Sequence, residues 1–461
     1  MNEKDYKTFF KGKKITLMGL GLLGRGVNLA KFFSKYGAVL TITDLKSAQA
    51  LGPSLRQLRA YPNIRFVLGG HNIKDFRNCD LVIKAAGVPL DSPYIKEAKK
   101  NKIPVEMDAS LFSRFSPAFI IGVTGTRGKT TTAYLLYHIL KLAQKDSCYG
   151  QVYLAGNVRG LATLPLLSQV KEDDLVILEL DSWQLQGFGD LKFSPPLAIF
   201  TNFMPDHLNY YKNNLDKYFC DKANIFKYQK RGDTLILGEK LVAEFKKRKI
   251  KIRSHQYIAK KTDLSRSWKI KILGEHNKDN IACVVRACYS LGLSDSDIKE
   301  GLETFLGVPG RLELVRTLKG VKYYNDTTAT TPEAVMAALK ALQASIPKLS
   351  GGILDRRIIL IAGGADKNLE YARLVALVNK TVKALVCFKG EATTKILAQL
   401  PTKLCYSVRV VSSMKEALEV ARKCTGSGDI VLLSPGAASF GMFKNEYDRG
   451  EQFVKIVKKL K

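Results

Sequence analysis

Short apolar runs, each closed by a glycine or a polar residue and followed by apolar residues at helical spacing, recur along the chain. Lys14-Ile15-Thr16-Leu17-Met18 predicts a strand, residues 25–36 a helix, and Val39-Leu40-Thr41-Ile42-Thr43 a second strand ending at Asp44. Leu81-Val82-Ile83-Lys84 predicts a third strand. Phe119-Ile120-Ile121 leads into a glycine turn and a helix over 133–140, and further strands are expected at 175–178 and 197–200. Beyond about residue 307, four more runs stand at 321–324, 358–361, 384–387 and 430–433. Continuously apolar strands alternating with helices specify α/β architecture with mostly parallel sheets, whose ligands gather at strand C-termini. At 461 residues the chain is too long for one core, and the pattern divides it into 1–107, 108–309 and 310–461, with residues 113–117 as a linker. No internal repeat and no low-complexity segment interrupts it.

The strand ends carry the chemistry. Gly19-Leu20-Gly21-Leu22-Leu23-Gly24, with Asp44 about 20 residues on, has the spacing of a dinucleotide-binding βαβ turn, a glycine-tightened turn without a ligand being the lesser alternative. The first segment is thus expected to be Rossmann-like, with a second glycine turn at Ala85-Ala86-Gly87-Val88-Pro89. Gly122-Val123-Thr124-Gly125-Thr126-Arg127-Gly128-Lys129-Thr130 has P-loop spacing between a strand and a helix. Backbone N–H groups and the helix N-terminus would cradle phosphates, Lys129 would reach the β/γ-phosphates and the Thr130 hydroxyl would bind Mg²⁺. Strand ends at Glu179 and at Asp206-His207 would meet Lys129 and Thr130 on one edge. The third segment reads as a second Rossmann-like, doubly wound domain, with polar turns at Asn325-Asp326-Thr327, Ala362-Gly363-Gly364-Ala365-Asp366-Lys367 and Ser434-Pro435-Gly436-Ala437-Ala438-Ser439.

Composition narrows the class. A chain 46% apolar and 25% charged is that of a soluble globular protein, and no apolar run reaches the roughly 18–20 residues of a membrane span. Met1-Asn2-Glu3-Lys4-Asp5-Tyr6 lacks the apolar core of a signal peptide. Eight scattered cysteines without a Cys-x-x-Cys pair argue for reduced thiols in a cytoplasm. The net charge of +31 is spread along the chain, and no aromatic-and-basic nucleic-acid module accompanies it. The run Lys246-Lys247-Arg248-Lys249-Ile250-Lys251-Ile252-Arg253 is expected on the solvent side of an exposed strand or loop, and the overall field suits a polyanionic substrate.

In order, the P-loop, Gly156-Asn157, Glu179, the Thr-Asn-x-x-x-Asp-His box at 201–207, Gly274-Glu275-His276-Asn277-Lys278-Asp279-Asn280, Pro309-Gly310-Arg311-Leu312-Glu313 and Asp326 run nearly the length of the chain. In this succession the chain resembles the Mur ligases, the ATP-dependent amino-acid ligases of peptidoglycan precursor assembly. The glycine turn of the first segment, Tyr324-Asn325-Asp326 and the stretch from Ser434 to Asn445 are most similar to the members that add D-glutamate to UDP-N-acetylmuramoyl-L-alanine. The resemblance implies ATP and two Mg²⁺ ions, an acyl-phosphate intermediate, a monomeric enzyme, small-molecule substrates, no nucleic acid and no membrane insertion. Lys129, His207 and Lys222 would be catalytic, Lys222 as a carbamate, and Thr130, Glu179, His207 and Lys222 would hold the metal. ATP would lie on Gly125, Thr126, Arg127, Gly128, Lys129, Thr130 and Thr131, with Asn277, Asn280, Arg311 and Asp326. The uridine nucleotide would take Gly21, Leu22, Leu23, Asp44, Leu45, Lys46, Gly87 and Asn157, and the amino acid Thr330, Lys367 and Ser439. Four positions depart from the family pattern: Thr328 for a lysine, Asp181 for a serine, Glu446 for an aromatic residue, and Leu23 for a hydroxyl residue. They leave open a relative that uses L-glutamate or another amino acid.

Overall fold

The computed structural model describes residues 5–158, 162–208, 210–347 and 355–461, without the side chains of Asp146 and His276. It has two compact units, one of residues up to Trp268 with Asp279–Gly301, the other of Lys269–Lys278 with Leu302–Lys461.

The first unit holds two sheets. One consists of β1 (Lys14–Met18), β2 (Val39–Asp44), β3 (Ile64–Leu68), β4 (Leu81–Lys84) and β5 (Val105–Glu106), all parallel, in the order β3-β2-β1-β4-β5. The order reverses between β1 and β4, and that crevice is where such a sheet takes a ligand. The other consists of β6 (Phe119–Thr124), β7 (Val152–Gly156), β8 (Leu175–Glu179), β9 (Leu197–Phe200), β10 (Thr234–Gly238) and β11 (His255–Ala259). Its order is β11-β10-β9-β6-β8-β7, again all parallel, so the turn after β6 lies between the ends of β8 and β9.

Residues 113–117 are not a linker. Ser113 and Phe115 belong to the helix Asp108–Phe115, and Phe112 and Phe115 are buried in a core that runs from Phe10 and Phe33 to Leu164 and Phe188. Asp108 ties this helix down by accepting from the backbone N of Thr163 (2.8 Å) and Leu164 (2.7 Å). Leu81–Lys84 is the fourth strand rather than the third, because β3 precedes it. Within the basic run, Lys246 and Lys247 end the helix Leu241–Lys247, while residues 248–253 form the turn and loop expected of it. Arg248 departs from the solvated expectation: it pairs with Asp216 (2.8 Å) and Glu244 and lies over the rings of Phe219 and Phe203.

The second unit has one mixed sheet of β12 (Glu313–Leu318), β13 (Val321–Asn325), β14 (Ile358–Gly363), β15 (Val382–Phe388), β16 (Ser407–Val411) and β17 (Ile430–Leu433). The order is β12-β13-β17-β14-β15-β16, with only β12 antiparallel to its neighbour, at the edge. Apolar clusters cover both faces, one around Leu339, Leu374 and Leu432, the other around Phe388, Leu418 and Phe453. Burial on both faces explains the unbroken apolar runs of β14, β15 and β17.

Candidate active site

The turn after β6 owes its shape to glycine. Gly125 (φ 153°) and Gly128 (φ 81°) sit where a Cβ would strike the Thr201 hydroxyl and the Asn280 side chain respectively. Gly128 then caps the helix Lys129–Ala143 in left-handed geometry, aiming the first N–H groups of that helix at the turn. The end of β9 buttresses the loop. Asn202 accepts from Arg127 N (2.9 Å) and donates to Arg127 O (3.0 Å), Thr201 donates to Arg127 O (2.8 Å), and Thr126 N donates to Asn202 O (3.0 Å). The sequence marks Thr201 and Asn202 as part of a motif, and the contacts give them a role there that spacing did not.

Around this loop stand Lys129, Thr130, Glu179, His207 and Lys222. The Lys129 ammonium folds back on the carbonyls of Gly125 (3.0 Å) and Thr126 (3.2 Å). The Thr130 hydroxyl donates to Glu179 Oε1 at 3.0 Å, at the buried end of β8. Lys222, on the helix Leu215–Ala223, is 1% exposed and its Nζ donates to Gly125 O (2.8 Å) and to the Thr124 hydroxyl (3.4 Å). Burial, reinforced by the nearby Lys129 charge, holds its amine far below the ordinary lysine range despite Asp181, Asp206 and Asp221. His207 has φ 52°, packs at a tilt against Trp183 (4.7 Å between centroids) and lies 3.9 Å from the Asp206 carboxylate. Burial lowers its pKa more than Asp206 raises it. Asp181 caps the helix Ser182–Leu191, accepting from Gln184 N at 2.8 Å. Asn280 is buried against Gly128, and Thr131 is partly buried in the first turn of the P-loop helix.

A cavity of about 410 Å³ opens between the ends of β1 and β4, lined among others by Gly21, Leu22, Leu23, Asp44 and Lys46. Leu45, Gly87 and Asn157 are exposed and lie outside its lining. The Asp44 carboxylate is engaged by the backbone: it accepts from Leu20 N (2.9 Å) and Gly21 N (3.0 Å) on one oxygen and from Lys46 N (2.9 Å) on the other. It therefore fixes the shape of the glycine turn. Gly26 lets the helix Arg25–Lys35 approach that turn, since a Cβ there would strike Leu20.

In the second unit, the ends of β13, β14 and β17 are knitted together. Ala365 and Ala438 exchange backbone hydrogen bonds, and Gly364 leaves no room for a Cβ against Ala438 O (2.6 Å). Asp326 accepts from the Ser434 hydroxyl (2.8 Å) and Leu312 N (3.0 Å), and burial pushes its carboxyl up to about 7 against those bonds. Ser439 is buried, Thr330 partly so, and the Lys367 amine is held below the ordinary lysine range by desolvation, which Glu446 partly offsets. The exposed Arg311 follows the turn at Val308, and Asn277 donates to Leu273 O (2.7 Å). The side chain of His276 lies outside the described residues. Thr328, at the departure from a lysine, donates to Gly310 O (2.9 Å) and is a backbone clasp.

Comparison with known proteins matches residues 13–106 to the N-terminal domain of MurD-like Mur ligases, 123–288 to the Mur ligase middle domain and 310–436 to the Mur ligase glutamate ligase domain. A UDP-N-acetylmuramoylalanine–D-glutamate ligase of Roseiflexus sp. (strain RS-1) is 37% identical over 480 residues, covering 97% of this chain and 98% of that one. One from Borreliella afzelii (strain PKo) is 37% identical over 465 residues, with the same coverage. The crystal structure of UDP-N-acetylmuramate-alanine ligase from Thermotoga maritima shares the fold, with a TM-score of 0.60 at 20% identity over 97% of this chain and 99% of that one.

Proposed function

The chain belongs to the Mur ligase family, and from that premise we propose that it joins D-glutamate to the alanine carboxylate of UDP-N-acetylmuramoyl-L-alanine. The reaction is ATP-driven amide synthesis through an acyl phosphate, releasing ADP and phosphate. Its first step brings a carboxylate against a phosphoryl group, two anions that repel unless cations stand between them. Lys129 and the P-loop N–H groups, reached from one glycine turn, supply fixed positive charge there.

The adjacent oxygens of Thr130 and Glu179 fit a hard divalent ion, and Mg²⁺ bound there would neutralise charge between the phosphates and the carboxylate. Among the described residues no three His, Cys, Asp or Glu group together to hold a metal, so a second ion beside Glu179 and His207 would need a further anionic donor. Lys222 can supply it. Its deprotonated amine can add to CO₂, forming an N–C bond and releasing one proton to solvent, and the resulting carbamate is an anionic oxygen ligand. With it and His207 in place, a second Mg²⁺ has donors.

The cavity at residues 19–24 takes the uridine nucleotide, and Thr330, Lys367 and Ser439 take the amino acid's distal carboxylate. A cation with two hydroxyls suits a carboxylate better than an ammonium side chain, which favours glutamate over lysine. We further assign the chain to the cytoplasm as a monomer, with domains at 1–107, 108–309 and 310–461. None of its described helices is long and apolar enough to cross a membrane. The observation that carries this reading is the buried amine of Lys222 set against the same P-loop carbonyl that holds Lys129. Incubation with ATP, Mg²⁺, UDP-N-acetylmuramoyl-L-alanine and a panel of amino acids, with the product identified by mass, tests it. D-glutamate is expected to be the preferred acceptor. Preference for L-glutamate would overturn the enantiomer alone, and preference for lysine the whole pocket.

A further inference from the structure

Lys84 is the last residue of β4, paired in register with Met18 immediately before the first glycine turn. Its side chain lines the same cavity as Gly19, Gly21, Ala85 and Gln184, and the residue is only 3% exposed. Its ammonium makes one hydrogen bond, to Val88 O at 3.1 Å, and no carboxylate among the described residues lies within ion-pair distance of it. The acids whose fields reach it, Asp181, Asp190 and Asp221, sit farther off. Two of them have other partners: Asp181 accepts from Gln184 N, and Asp221 accepts from Gln186 (2.8 Å) and the Tyr211 hydroxyl (2.9 Å). A buried lysine with two unmet N–H donors and no counter-ion is costly to the fold unless something anionic completes it. The two acids that line the cavity are engaged elsewhere: Asp44, at the end of β2, accepts from three backbone N–H groups, and Asp108 accepts from Thr163 N and Leu164 N.

We propose that Lys84 is the cation that meets the diphosphate of the uridine nucleotide, binding it from the β4 side of the cavity while the glycine turn shapes the other side. The proposal rests on the uridine-nucleotide reading above. The glycine turn supplies shape, and of the three cations that line the cavity, Arg25, Lys46 and Lys84, only Lys84 is buried, so its charge is the one placed to distinguish a nucleotide from a nucleoside.

The test is calorimetric titration of the full-length protein and of Lys84→Met with uridine, UDP and UDP-N-acetylmuramoyl-L-alanine, with thermal melting as the check on folding. Charge-assisted contacts of this kind set the scale, so Lys84→Met should weaken UDP and the full substrate roughly 10- to 100-fold. Uridine should bind the variant as it binds the wild type, the KM for ATP should not move, and Lys84→Arg should recover part of the UDP affinity. Should methionine not be tolerated, Lys84→Gln removes the same charge and carries the same comparison. Unchanged UDP affinity would overturn the proposal, as would an equal loss for uridine or a loss confined to the full substrate. If the wild type binds none of the three, the uridine-nucleotide reading itself has failed. If it binds them and the uncharged variant matches it, only the role of Lys84 has.

Discussion

The two glycine turns of the first unit share a backbone design and differ in what surrounds it. Residues 19–24 follow β1 and residues 125–128 follow β6, and each turn ends in a left-handed glycine, Gly24 (φ 89°) or Gly128 (φ 81°), that starts a helix. The first is fastened by the Asp44 carboxylate and presents Leu22 and Leu23, both about half exposed, to the cavity. The second is fastened by the neutral side chains of Thr201 and Asn202 and ringed by Lys129, Thr130, Glu179 and Lys222. A negative charge in the fastening role would oppose incoming phosphates at the second turn, whereas at the first it is neutralised by three N–H donors. The backbone provides the same concavity twice, and the proposed division, one turn holding a nucleotide and the other transferring a phosphoryl group, rests on the side chains around it.

The sharpest break of this contrast is Lys129→Ala. Its positive charge should matter most where charge peaks, in phosphoryl transfer, so the rate should fall roughly 10²- to 10³-fold with the fold intact by circular dichroism. Unchanged phosphate release in a folded variant would make the second turn no more catalytic than the first. Next comes Lys222→Ala, expected to lose about 10²-fold in rate and to regain part of it when a small carboxylic acid is added. Full activity in the variant, or a plain amine at Lys222 that contacts no metal in a crystal structure of the active enzyme with Mg²⁺, would remove the carbamate from the scheme.

Much of this was legible because the strand, turn and helix of a nucleotide site lie next to one another in sequence. β1, β4, β9 and β17 fall where the apolar runs place them, as buried parallel strands do. β3 escaped because Ile64-Arg65-Phe66-Val67-Leu68 lies on a sheet edge with only Ile64 buried, so its pattern is weak. Residues 113–117 resembled a linker by their serines and proline, yet Ser113 bonds within the helix to Ala109 O (2.9 Å) and Phe115 fills the core. The burial of Lys84 and Lys222 could not be read at all, because each is buried by elements distant in sequence. Lys222, for instance, reaches Gly125, 97 residues away.

A milder test falls on the fastening of the second turn. Asn202→Ala removes one bond to Arg127 N and one to Arg127 O. At about 1 kcal/mol for each net hydrogen bond, the two together come to about 2 kcal/mol, so the KM for ATP should rise roughly 30-fold, with a smaller change in kcat. An effect on the uridine nucleotide instead of ATP would mean that the two turns do not work separately.

The smallest effect belongs to Asp44→Asn. The amide retains one acceptor oxygen, which can keep either the pair of bonds to Leu20 N and Gly21 N or the single bond to Lys46 N, and its NH₂ group then faces the remaining N–H. Charge-assisted bonds become neutral ones, a loss of about 1 kcal/mol that corresponds to roughly 5-fold in affinity. Because Asp44 shapes the turn and does not touch the phosphoryl group, the loss should fall on the KM for UDP-N-acetylmuramoyl-L-alanine, with kcat and the KM for ATP unchanged. Steady-state kinetics with each substrate varied in turn separates these terms. A fall in kcat comparable to that of Lys129→Ala would show that the acid of the first turn takes part in the chemistry, and the distinction between a turn that holds and a turn that transfers would be lost.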